Sequence, residues 1–188
     1  MTWTELENAC RACNKCALYE TRRNCVVGIG NHEAEILFVG EAPGANEDAT
    51  GEPFVGRAGK LLDDMLELVD LSRKRNIYIA NIVKCRPPGN RDPLNSEQGA
   101  CIDWLREQFR LIRPKIVVCL GRIAGNIMIG GDYKISRDHG KWTEKDGVFF
   151  TSLYHPAALL RNPNLKPDTF EDLKAIQSKA RELCEHTY

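Results

Sequence analysis

Four thiols from three stretches of the chain are the first residues whose types and spacing could do chemistry. Cys13-x2-Cys16 is followed far along by Cys85 and Cys101, a donor set that suits either a tetrahedral zinc or an iron–sulfur cube. Spacing alone leaves open which of the two it holds, and whether Cys10 or Cys25 replaces one of the four. Cys10-x2-Cys13-x2-Cys16 departs from a bacterial ferredoxin run, because residue 20 is Glu and no Cys-Pro follows. Cys119, isolated within an apolar run, reads as a buried and unligated thiol. The eight cysteines are clustered first and dispersed later, which is unlike a disulfide framework and points to metal or redox chemistry.

A second group of residues is polar and sits beside glycine and proline. Gly40-Glu41-Ala42-Pro43-Gly44 can present backbone N–H groups to a ligand, and Glu41, Glu47 and Asp48 add three carboxylates beside it. Those charges argue against a polyphosphate, and no Gly-Lys-Ser/Thr sequence is present. Asn81 closes an apolar run, and its amide can pair with a donor–acceptor edge such as a nucleobase presents. His155 precedes Pro156 at the end of another run. Phe54, between glycines and a proline, reads as an exposed aromatic able to stack. Leu159, Leu160 and Arg161 on a proline-bounded stretch could wedge into a base stack while the cation holds a phosphate.

These residues need a scaffold. Apolar runs at residues 35–40, 77–83, 115–121 and 148–154 read as strands. Helical periodicity appears between and around them: Trp3, Leu6, Cys10 and Cys13, with Thr4 and Glu7 spaced as a capping box; Leu61, Leu62, Met65, Leu66 and Val69; Cys101, Leu105, Phe109 and Ile112; and Leu173, Ile176, Ala180 and Leu183, capped by Asp168 or Thr169. Strand and helix alternating predict a parallel sheet flanked by helices, with ligands beyond the carboxyl ends of the strands. The Gly40 loop, Asn81 and His155 all fall at that rim. A length of 188 residues fits one domain spanning 1–188. Equal numbers of basic and acidic residues, 26 each, exclude a protein that coats nucleic acid by bulk charge, so any such contact is local. No apolar run reaches membrane length and the start has no secretory features, which implies a cytoplasmic protein.

Taken together, Gly40-Glu-Ala-Pro-Gly44 with Glu47-Asp48, Gly51-Glu-Pro-Phe-Val-Gly-Arg-Ala-Gly59, Asn81-Ile-Val-Lys-Cys-Arg-Pro-Pro88 with Asn90-Arg91, and His155-Pro-Ala-Ala-Leu-Leu-Arg-Asn-Pro163 resemble the family 4 uracil-DNA glycosylases. The resemblance runs in order from about Cys13 to Pro163. It implies a three-layer α/β/α sandwich around a four-stranded parallel sheet, and a [4Fe–4S] cluster on Cys13, Cys16, Cys85 and Cys101. It implies that uracil is flipped from single- or double-stranded DNA and its N-glycosidic bond hydrolysed, leaving an abasic site for base excision repair. By the same resemblance, Phe54 stacks on uracil, Asn81 pairs with its N3–O4 edge, and His155 hydrogen-bonds O2. Glu41 stabilises the sugar cation or orients water, Ala42 and Pro43 line the pocket, and Glu47 excludes the thymine methyl. Arg86, Arg91, Leu159, Leu160 and Arg161 meet DNA. Relatives often carry Asp or Asn where Ala42 stands. With no Lys at the rim, a monofunctional, monomeric enzyme without Schiff-base chemistry is expected. Protein partners, a replication clamp included, are not legible.

Overall fold

A computed structural model describes residues 1–188. In chain order the elements are α1 (Trp3–Arg11), α2 (Leu18–Thr21), β1 (Ile29–Gly30), β2 (Ile36–Gly40), α3 (Ala45–Thr50), α4 (Arg57–Glu67) and β3 (Ile77–Asn81). There follow α5 (Asn95–Ile112), β4 (Ile116–Leu120), α6 (Arg122–Met128), α7 (Ile135–Asp138), β5 (Thr143–Lys145), β6 (Val148–Leu153), α8 (Pro156–Arg161) and α9 (Lys166–Leu183).

One sheet runs through the molecule in the order β1-β3-β2-β4-β6-β5. Its centre is the expected set of four parallel strands, β3, β2, β4 and β6. The expectation of four strands is corrected to six, because β1 and β5 add short antiparallel edges. Alternation along each central strand divides the core in two. Ile36, Phe38, Ile77, Ile79, Ile116 and Val118 face α4, α8 and α9, whereas Leu37, Val39, Tyr78, Ala80, Val117 and Cys119 face α5 and α6. Both faces are covered, which is why the central strands read as continuous apolar runs. Cys119 is wholly buried, as its isolated position implied. No helix is long and apolar enough to cross a membrane.

Two helix starts differ from expectation. The capping box of α1 is formed by Thr2 and Glu5, not Thr4 and Glu7: Glu5 N donates to Thr2 Oγ1 at 3.3 Å and Thr2 N to Glu5 Oε2 at 2.7 Å. In α9 neither Asp168 nor Thr169 caps. The helix begins at Lys166 with Pro167 in its first turn, where no N–H is needed, and the Thr169 hydroxyl donates to Leu165 O at 2.9 Å from inside the helix. The apolar face of α9 is otherwise as predicted, with Leu173, Ile176 and Ala180 in the core.

The strand ends are what matter for function. Gly40 pairs with Asn81 in register, and the β4 and β6 ends align through Leu120 and Leu153. Regular pairing stops earlier than the apolar runs, yet the chain past Asn81 stays attached: Ile82 N donates to Gly40 O at 2.9 Å and Val83 N to Glu41 O at 3.1 Å.

Leu66, wholly buried in α4, is expected to lose about 2–5 kcal/mol of unfolding free energy on substitution by alanine. Leu68, 67% exposed just beyond the same helix, should lose under about 0.5 kcal/mol. Denaturant titration followed by circular dichroism measures both; equal losses would contradict the two-layer packing.

Candidate active site and cysteine cavity

At the aligned strand ends Gly40 leaves space that other side chains use. A Cβ there would collide with Asn81 Oδ1 and lie 2.6 Å from Phe54 Cζ. Asn81 is 2% exposed, and its Oδ1 has no hydrogen-bond partner. A buried amide oxygen without a partner is costly unless a ligand supplies the donor. The rings of Phe54 and His155 stand 5.7 Å apart between centroids, tilted by 34°. Phe54 therefore neighbours both Asn81, across Gly40, and His155.

Phe54 is buried, at 7% exposure, rather than exposed as its flanking glycines and proline implied. It adopts φ of 53°, a left-handed conformation that costs of order 1 kcal/mol or more for a bulky residue. Arg73 holds it there: Nη1 donates to Pro53 O at 2.6 Å, Nη2 to Phe54 O at 3.0 Å, and Nε to Asp63 Oδ1 at 2.9 Å.

His155 caps α8, its Nδ1 accepting from Ala157 N at 3.1 Å. The lone pair at Nδ1 being used, the ring proton of the neutral form resides on Nε2. Burial, then the Arg161 charge, lowers the His155 pKa to about 4. Burial acts in the other direction on Glu41. It raises that carboxyl to about 7, with the nearby Asp92 carboxylate adding to the rise and Arg122 opposing it.

Glu47 is bonded to backbone on both oxygens. Oε2 accepts from Gly44 N at 3.0 Å, and Oε1 from Val55 N at 3.1 Å and Gly56 N at 3.4 Å. It ties the Gly40–Gly44 turn to the Phe54 loop. Pro43 is buried and Ala42 half-buried.

The residues expected at a DNA surface divide. Arg161 is exposed, and Leu160 is 36% exposed at the end of α8. Leu159 is 1% exposed within the hydrophobic core, which removes it from the wedge. Successive helical residues lie about 100° apart, and here the turn of α8 carries Leu159 onto the face that packs in the core while Leu160 points outward. Arg86 Nε donates to Asn90 Oδ1 at 2.7 Å, and Arg91 makes a two-pronged contact with Glu97 at 2.7 and 2.9 Å.

Six cysteines, namely Cys10, Cys13, Cys16, Cys25, Cys85 and Cys101, line one small cavity. N–H donors point at three of the sulfurs: Trp104 Nε1 at Cys13 (3.3 Å), Arg22 Nη1 at Cys85 (3.2 Å) and Lys84 N at Cys101 (3.3 Å). Cys10 and Cys25 instead lie 3.4 Å apart, sulfur to sulfur, and the Cys25 thiol also donates to Cys10 O at 3.3 Å. No three His, Cys, Asp or Glu side chains converge closely enough to hold a single metal ion.

Several contributors are invisible to motif reasoning. Arg73, Asp92 and Arg122 act across 19 to 30 residues of chain. Lys84, read from sequence as part of a basic segment, is 1% exposed, with Nζ donating to Asn81 O and Gln108 Oε1 at 2.6 Å each. Its position between Val83 and Cys85 was the one available signal.

Comparison with known proteins gives the family. Residues 27–176 match the model of the uracil DNA glycosylase superfamily. A type-4 uracil-DNA glycosylase of Archaeoglobus fulgidus is 47% identical over 92% of this chain and 88% of its own length. Proteins of the same description from Sulfurisphaera tokodaii and Thermotoga maritima are 46% and 41% identical, over 90% and 89% of this chain and 80% and 89% of theirs. With that breadth of match and these residues at its strand ends, the chain belongs to the uracil DNA glycosylase superfamily, among the type-4 uracil-DNA glycosylases.

Proposed function

We propose that this protein removes uracil from DNA by hydrolysing the bond between base and deoxyribose, as a monofunctional glycosylase in base excision repair. The observation that carries the reading is the unpartnered, buried Asn81 Oδ1, which lies beside Phe54 at Gly40, with the His155 ring on the other side of Phe54. A flipped uracil supplies what that oxygen lacks, since its N3–H donates to Asn81 Oδ1 and its ring stacks on Phe54. Lys84 fixes the Asn81 backbone from behind, so the amide is held before the base arrives.

His155 then offers Nε2–H to O2, where negative charge grows as the bond breaks. A neutral, fixed donor at a developing anion contributes roughly 3 kcal/mol. Ionised Glu41 faces the other product of the cleavage, stabilising the sugar cation or orienting water, by analogy with oxocarbenium-like glycoside hydrolysis. Glu47 limits the pocket indirectly. By tying both loops together it keeps Ala42, Pro43 and Phe54 from yielding to a thymine methyl, which a soft apolar wall would reject by only about 1–3 kcal/mol. Lys84 is committed to two acceptors, which supports a mechanism without a Schiff base. Leu160 and Arg161 on α8 are the side chains exposed for DNA, with the half-buried Arg86 and the outer face of Arg91 beside them.

The thiol cavity gathers cysteines from three segments of the chain, and N–H groups aimed at sulfur would favour the thiolates that an iron–sulfur cluster takes as ligands. Cys13, Cys16, Cys85 and Cys101 would hold a [4Fe–4S] cluster, with Cys10 and Cys25 engaged with each other. Such a cluster would supply bonds tying three distant segments together.

Three outcomes are expected. Free uracil released from a uracil-containing oligonucleotide should fall about 100- to 1000-fold in His155→Ala, with a comparable loss in Asn81→Ala; unchanged rates in both would sink the reading. The single-turnover rate should climb with pH, reach half its maximum near pH 7 and level off about a unit above, because ionised Glu41 is the active form. His155, neutral above about pH 5, adds no second limb, and Glu41→Gln should flatten the profile while lowering the rate. Finally, Cys13→Ser or Cys101→Ser should lose bound iron and sulfide and the visible absorbance, whereas Cys10→Ser should retain all three. Iron retained in every variant would remove the cluster assignment.

A further inference from the structure

The arm that carries Cys13 and Cys16 is held mainly at its ends. Between Arg11 and Asn24 only Leu18 is buried, so the arm has little apolar surface to keep it on the body. On one side Cys10 lies in the last turn of α1, wholly buried like Leu6 on the same helix. On the other, Arg23 N and Asn24 N donate to the buried Asp48 Oδ1 at 2.8 and 3.2 Å, and Val26 N donates to Lys84 O at 2.7 Å. Cys10 and Cys25, 15 positions apart in the chain, are thus the fixed points at either end of a lightly packed segment.

Those fixed points touch. The two sulfurs lie 3.4 Å apart, and the Cys25 thiol donates to Cys10 O at 3.3 Å. A disulfide holds its sulfurs about 2 Å apart, so closing the pair takes side-chain adjustment and no rearrangement of the fold. The two thiols differ in access. Cys25 is half-buried and lines both the thiol cavity and a polar cleft beside it, among the exposed Arg11, Arg23 and Asn24. Cys10 is wholly buried. A reachable thiol in contact with a buried second one is the arrangement that stepwise thiol–disulfide exchange uses. Cys85 is the competing neighbour of Cys25, but its sulfur already accepts from Arg22 Nη1 at 3.2 Å.

We propose that Cys10 and Cys25 are a redox-active dithiol whose disulfide closes the arm into a loop and so retains the two cluster ligands, Cys13 and Cys16, that the loop contains. The oxidant is a low-molecular-weight disulfide of the glutathione type. The Cys25 sulfur attacks one of its sulfurs, forming a mixed disulfide and releasing the first glutathione as a thiol. The Cys10 sulfur then attacks Cys25 and displaces the second. Two hydrogens and two electrons pass from the protein to the reagent, one S–S bond is exchanged for another, and two glutathione thiols leave. A closed loop restricts the detached states of the arm and uses neither of the sulfurs assigned to iron within it. The effect on retention rests on that cluster assignment, whereas the bond itself does not.

The test equilibrates the full-length, cluster-loaded protein without oxygen in glutathione buffers of rising oxidised fraction, followed by alkylation and digestion without reduction. Mass spectrometry should find the Cys10 and Cys25 peptides joined, the other cysteines unlinked, and the visible absorbance retained before digestion. Cys10→Ser should stop at a glutathione adduct on Cys25, and Cys25→Ser should leave Cys10 unmodified. Iron release to a ferrous chelator should be about tenfold slower from oxidised than from reduced protein, because the closed loop limits opening of the arm. That difference should vanish when Cys10→Ser and Cys25→Ser are combined. Both thiols still free in the most oxidising buffer, or Cys25 joined to Cys85 with iron lost, overturns the inference. A Cys10–Cys25 bond with unchanged iron release overturns its retaining role. A reduced protein that holds no iron overturns the cluster assignment instead, and the peptide map still decides whether the bond forms.

Discussion

The in-register pairing of Gly40 with Asn81 is the constraint from which the site follows. Parallel strands place successive carboxyl ends on one edge of the sheet, but alignment alone would fill that edge with side chains. The strand at its centre ends in a residue without one, and the space is taken from both sides, by the Asn81 amide and the Phe54 ring. The conformational cost of Phe54 at φ 53° is met by Arg73, whose guanidinium holds two successive carbonyls of that loop. Rigidity at the edge thus comes from hydrogen bonds to backbone, with Glu47 performing the same task for the neighbouring turn.

Residues that announce themselves by local pattern were readable without coordinates. The four central strands are buried on both faces, so they appear as unbroken apolar runs, and glycine, asparagine and histidine at their ends stand out against them. The edge strands left no such mark. Ile29–Gly30 is two residues long, and Thr143–Lys145 is polar and exposed; both exist because a neighbour offers free backbone groups. Thr4 and Glu7 share the spacing of a capping box with Thr2 and Glu5, and spacing cannot say where a helix begins. Phe54 was misjudged because glycine and proline around an aromatic describe a turn, while the tertiary cover supplied by His155 is about a hundred residues away. Asp92, Arg122 and Arg73 were missed for the same reason: a charged side chain looks alike in the sequence whether it faces solvent or a partner distant along the chain.

The cysteines illustrate how geometry narrows what composition leaves open. Spacing allowed Cys10 or Cys25 to replace a ligand. In the structure Cys10 and Cys25 lie 3.4 Å apart and Cys25 also approaches Cys85, whereas Cys13, Cys85 and Cys101 receive N–H donors from three separate elements. Donors fixed by packing are what a thiolate wants in a low-dielectric setting, because an uncompensated negative sulfur would otherwise carry the full cost of desolvation. Burial raises the Cys101 thiol to about 11, so a metal bound there would have to displace its proton.

Burial also explains how one pocket can serve both halves of the proposed cleavage. Removing water disfavours whichever form of a group is charged, so the same environment lowers a histidine and raises a carboxyl. His155 is thereby kept neutral, and its single ring proton is directed to Nε2 by the bond at Nδ1. Glu41 is kept near the point where it is half ionised at neutral pH. A neutral donor suits an oxygen that becomes anionic, since it need not first give up a charge, and a carboxylate suits a sugar that becomes cationic. Were the pocket wetter, both groups would return toward their ordinary values: His155 would be partly cationic at neutral pH and Glu41 fully anionic. Dryness therefore acts unequally on the two groups: it gives His155 the neutral form suited to an oxygen that becomes anionic, and it costs Glu41 part of the charge that a cationic sugar would call for.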